Sequence, residues 1–147
     1  MPTVELQLPP LPHHVRTARL VGVAAARRAG LSDELVDELR WALGEACSRA
    51  VALHAAHSVD APVRVLLRED AAGLTVEVLD QGPGHQPADD TAPEALFDGD
   101  DSDDGDDGVD PRVSLAVLTG LVDDVEVSSA ADGTTVRLRW PLPARGA

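Results

Sequence analysis

Leu35, Leu39, Ala42, Leu43, Ala46, Ala50 and Leu53 recur at steps of three and four residues. A chain with that spacing hides them together as a helix laid on an apolar surface. Ser32 offers a side-chain oxygen to the first orphan amides, and Asp33 and Glu34 fall in the positively polarised first turn. The helix is expected to run to about His57. The surface it needs follows at once: Val63, Val65 and Leu67 alternate with Arg64, Leu66 and Arg68, and after a turn around Asp70 to Gly73 come Leu74, Val76 and Val78. These read as two adjacent antiparallel strands.

The flanks extend the pattern. Val4, Leu6 and Leu8 alternate with Glu5 and Gln7 as a short strand, which Pro9, Pro10 and Pro12 stop. A first helix is expected from about His13 to Ala29, with Gly30 at its C-terminal end. After Asp80 the chain is rich in Gly, Pro and Asp as far as Pro111. A segment of that length is expected to be a lid or disordered. Val113, Leu115, Ala116, Leu118, Leu121 and Val122 form a helix-like cluster, Val125 and Val127 open another strand, and Val136, Leu138 and Trp140 form the last, with Asp132-Gly133 at the hairpin. The order predicts an α/β fold: a two-layer sandwich in which helices cover one face of a mixed sheet. One domain spans 1–147, with 85–111 a flexible acidic lid.

Composition narrows the partners. One Phe, no Tyr and two Trp leave little for base stacking, and a net charge of -14 has the wrong sign for phosphate neutralisation, so no direct nucleic-acid contact is expected. Eight Asp and no basic residue lie between Asp98 and Asp110, so removing them changes the charge from -14 to -6. Cys47 is the only cysteine, which excludes an intramolecular disulfide. No signal segment or apolar span is evident, and a cytoplasmic protein without membrane attachment is expected.

Three stretches stand at the joints of this order: Leu43-Gly44-Glu45-Ala46-Cys47-Ser48-Arg49-Ala50-Val51, Asp80-Gln81-Gly82-Pro83-Gly84, and Gly133-Thr134-Thr135-Val136. Together they resemble the Bergerat-type ATP-binding fold of the histidine-kinase, Hsp90 and GyrB group, above all the small bacterial anti-sigma regulatory serine kinases. The resemblance implies that Glu45 serves as a general base toward water or a protein serine. It implies that Asp80 accepts the exocyclic amine of adenine, and it gathers Gly82, Gly84, Arg49, Arg112 and Thr135 around the nucleotide. ATP or ADP is the implied cofactor, and a sigma factor or anti-anti-sigma-like protein the implied partner; a homodimer is compatible with it. The chain departs from the pattern twice. Arg49 stands where Asn is expected, and Asp110-Pro111-Arg112-Val113-Ser114-Leu115 replaces a glycine-rich phosphate loop. Both departures strike phosphate and metal handling. The expected function is therefore regulatory partner binding with weak or modified nucleotide binding, and an active serine-protein kinase is the alternative.

Plainer roles compete at each position. Asp80 can bond the amides of its own turn. Gly82 and Gly84 offer positive φ or close backbone approach. Glu45 can pair with Arg49 at the i,i+4 spacing. Arg49 has no acceptor for magnesium but can grip a phosphate bidentately. Asp100, Ser102, Asp104 and Gly105 imitate the opening of a calcium loop, yet its twelfth position is Pro111, so no metal site is expected. His13, His14, His54, His57 and His85 form no ligand set. Cys47 and Trp41 read as core residues, and Trp140 as core or, if exposed, part of a partner surface.

Overall fold

The computed structural model describes residues 3–82 and 117–142. Thr3–Leu8 forms β1. A 3-10 turn at Pro12–His14 leads into α1, Val15–Ala29, which Gly30 terminates at φ 96°, a backbone conformation that carries no β-carbon penalty in glycine. Ser32 Oγ accepts the amide of Leu35 at 3.3 Å and starts α2, Asp33–Ala56. β2 is Val63–Asp70 and β3 Gly73–Asp80; their turn is closed by Asp70 Oδ1, which accepts the amides of Ala72 and Gly73. Residues 117–121 are helical. β4, Val125–Ala130, and β5, Gly133–Pro141, complete the sheet.

The strands lie in the order β1-β2-β3-β5-β4, with α1 and α2 on one face. All four described pairings are antiparallel, so the expected mixed sheet is corrected. For β2–β3 and β4–β5 the physical reason is connectivity: both are hairpins, and a tight turn reverses the chain. Val63, Val65, Leu67, Val76, Val78, Val136 and Leu138 meet Val36, Leu39, Leu43, Ala46, Cys47 and Ala50 in one buried layer. Each fully buried Val or Leu contributes about 1.5–3 kcal/mol. Trp140 joins this layer at 2% exposure and donates its indole N–H to Glu38 Oε2 at 2.9 Å, fastening the end of β5 to α2.

The other sheet face is a row of charges paired across strands. Glu77 accepts from Arg68 at 2.6 Å and Arg137 at 3.0 Å, and Arg137 reaches Glu126 at 2.7 Å. Hydrogen bonding to Glu77 holds the Arg137 guanidinium above its ordinary range. No helix among the described residues is long and apolar enough to cross a membrane. The segment read as an acidic lid, 85–111, lies outside the described residues.

Candidate functional site

Strand alternation sends Asp80 to the helix side. Val76 and Val78 face the helices, and Asp80, two residues further, does the same. Arg49 of α2 meets it there: Nη1 donates to Asp80 Oδ2 at 2.9 Å, with both side chains 1% exposed. Asp80 Oδ1 accepts the Gly82 amide at 3.0 Å, so both carboxylate oxygens are engaged. The guanidinium is less well served. Among the described residues its Nε and Nη2 have no acceptor, so the cost of burying this charge is only partly repaid.

Arg49 therefore does not form the ion pair with Glu45 weighed from the sequence: Nη1 is held by the Asp80 carboxylate, and Nε and Nη2 are left without an acceptor among the described residues. Arg49 lies in the buried layer, where Asp80 supplies a carboxylate at 2.9 Å, while Glu45 on the preceding turn stays half-buried.

His54 is the functional neighbour that sequence reasoning missed. It is wholly buried; Nδ1 donates to the Ala61 carbonyl at 2.9 Å and Nε2 accepts the Gln81 amide at 2.8 Å. A carbonyl can only accept and an amide only donate, so the ring is the neutral Nδ1-protonated tautomer. His54 thereby anchors the first residue after Asp80. No spacing rule marks this contact, which joins residues 27 apart.

The glycines and threonines also differ from expectation. Gly82 has no left-handed backbone; the only positive-φ glycine among the described residues is Gly30. Gly82 instead lies close to α2, where a β-carbon would come within 3.2 Å of Leu53 Cβ. Thr135 pairs with Leu79 and points away from the helices, whereas Thr134, 2% exposed, pairs with Asp80 and shares its face. A β-carbon on Gly133 would collide with the Asp80 carbonyl, so glycine there lets β5 close on the end of β3. Gly84 and Arg112 lie outside the described residues, as do Pro83 and the aspartates of the calcium-like run.

Glu45 is placed elsewhere. With Arg19, Arg40, Trp41, Gly44 and Ser48 it lines an open groove of about 320 Å³ between α1 and α2, and neither Asp80 nor Arg49 lines that groove. Glu45 has no hydrogen-bond or ionic partner among the described residues. No group of three or more His, Cys, Asp or Glu side chains suited to a metal occurs among the described residues.

Cys47 lies beneath this groove, in the core. Burial pushes its thiol up to about 12, against a smaller opposing pull from the Arg19 charge. At pH 8 the thiolate fraction of the folded protein is then roughly one in ten thousand. Alkylation by iodoacetamide at pH 8 is expected to be at least about a hundredfold slower in the native protein than in urea. Equal rates would show that Cys47 is accessible and reactive in the fold.

An antiparallel sheet covered by two helices, with a buried carboxylate turn at the end of a central strand facing the longer helix, defines the class of nucleotide-site sandwiches introduced above. Residues 8–140 match the family described as "Histidine kinase-like ATPase domain", and the chain belongs to that family. In fold it is similar to the crystal structure of the RsbU and RsbW domains of Rv1364c from Mycobacterium tuberculosis, with a TM-score of 0.68 and 19% identity over 100% of this chain. The match covers 35% of that chain, so the present sequence spans about a third of its length. A weaker likeness, TM-score 0.45 and 21% identity, links 74% of this chain to 69% of the NMR structure of the histidine kinase domain of the E. coli osmosensor EnvZ. No curated protein sequence matches.

Proposed function

We propose that this chain is a regulatory protein-binding module of the anti-sigma kind, which engages a sigma factor or an antagonist partner and binds adenine nucleotide only weakly. The observation that carries the reading is the buried Arg49–Asp80 pair. Asp80 would have to exchange a full cation for the neutral amine of a base, and Arg49 would have to leave its only acceptor among the described residues. Uncoupling a buried pair costs several kcal/mol, and each 1.4 kcal/mol is tenfold in affinity. Arg49 also has no lone pair for magnesium. The residues as arranged therefore do not fit a metal-bound adenine nucleotide.

The second reading is an ATP-dependent serine-protein kinase acting on an anti-anti-sigma-like partner. Kinship favours it over the binding role, since the family is described by an ATPase domain. Glu45 has no partner among the described residues, as a free base requires, but it lines a groove that Asp80 does not share. The Arg49–Asp80 geometry weighs the other way, and on it the binding module is preferred.

Calorimetric titration with ATP and ADP, with and without magnesium, is expected to give no saturable binding to the wild type below millimolar nucleotide. Arg49→Asn, which removes the cation from Asp80, should gain on the order of a hundredfold in affinity. Micromolar, magnesium-dependent binding by the wild type would refute the reading. Labelled phosphate appearing on a partner serine, and lost in Glu45→Ala, would establish the kinase instead.

A further inference from the structure

The groove that holds Glu45 stands apart from the Arg49–Asp80 pair. Trp41 is 60% exposed on its wall, although the chain's other tryptophan is buried. Arg19 reaches it by lying across Gly44, where a β-carbon would come within 3.1 Å of Arg19 Cδ and 3.3 Å of its Nε. The glycine thus admits the arginine stem onto α2. Among the described residues Arg19 has no ion-pair partner, and Arg40 keeps only a loose 3.5 Å contact with Asp37 between exposed side chains. The open sheet face, by contrast, satisfies its charges across strands.

The groove therefore offers two guanidinium groups, an exposed indole, a half-buried carboxylate and the hydroxyl of Ser48. A polyphosphate has no hydrogen-bond donor to set against Glu45 and nothing apolar for Trp41. A peptide carrying carboxylates supplies both: spaced side-chain anions for Arg19 and Arg40, backbone amides for Glu45, and an apolar residue for Trp41. Arg and Trp are the residue types on which protein interfaces most often concentrate their binding energy. We propose that this groove is the docking site for a short acidic, partly apolar segment of a partner protein. The inference rests on the partner-binding reading above and names the surface that serves it.

Trp41 is the exposed tryptophan of the two, so a binding-induced blue shift of the emission, over the constant background of buried Trp140, reports on the groove. A synthetic peptide alternating aspartate and leucine is expected to give a saturable blue shift, absent in Trp41→Phe and absent with a lysine–leucine peptide. Arg19→Ala and Arg40→Ala should each weaken binding about fivefold, the scale of an exposed ion pair. Unaltered affinity in both arginine variants, or no saturable shift, would overturn the proposal. So would the same shift produced by ATP or inorganic phosphate at lower concentration, which would make the groove a phosphate site, or by the protein alone on concentration, which would assign it to a second copy. A partner complex that survives Arg19→Ala and Trp41→Phe at full affinity removes the groove and leaves the regulatory reading. Peptide binding without any sigma or antagonist complex does the reverse.

Discussion

Asp80→Ala is expected to destabilise the protein by about 3–5 kcal/mol, the cost of leaving one member of a buried ion pair uncompensated. Arg49 is 1% exposed and already lacks acceptors on Nε and Nη2, so loss of Asp80 removes its only partner among the described residues. For a domain of this size the midpoint of thermal unfolding should fall by roughly 10 °C. The pair is nevertheless a poor source of stability, because two of three guanidinium nitrogens are buried without an acceptor. Arg49→Met combined with Asp80→Leu should therefore recover most of the loss, since apolar groups of similar volume replace buried pairs at little cost. A single Asp80→Ala within about 1 kcal/mol of wild type would show that Arg49 reaches solvent.

His54→Ala should follow closely in size. It removes the partner of the Ala61 carbonyl and of the Gln81 amide and opens a cavity in the core. Two lost hydrogen bonds and the lost packing of a wholly buried ring together amount to about 3 kcal/mol. The distinguishing measurement is local: exchange of the Gln81 and Gly82 amides should accelerate more than the global loss of stability accounts for, because the turn after Asp80 loses its anchor. Unchanged protection at Gln81 would mean that His54 fills space without positioning the turn.

The pair and the histidine show where sequence reading stops. α2 was legible because its stripe, its Ser32 cap and its acidic first turn are interactions among residues three and four apart. The hairpins were legible because alternation on both sides of a turn specifies which face is buried. The joints carried the family pattern in Glu45, Asp80 and Gly133. What followed from these was the sandwich and the place of Asp80 at the end of β3.

Partner choice was decided otherwise. From the sequence, Glu45 was the nearest acid to Arg49; in the fold, Asp80 is, 31 residues away. Trp41 sits on the same helix as the core stripe yet projects outward, while Trp140 turns inward to bond Glu38 across 102 residues. Thr134 rather than Thr135 shares the face of Asp80 because the β3–β5 register aligns it there. Periodicity and capping are local, and they determined the elements, their order and their buried faces. Which charge neutralises which, and which tryptophan meets solvent, depends on helix rotation and strand register after packing, and only the tertiary structure decided those.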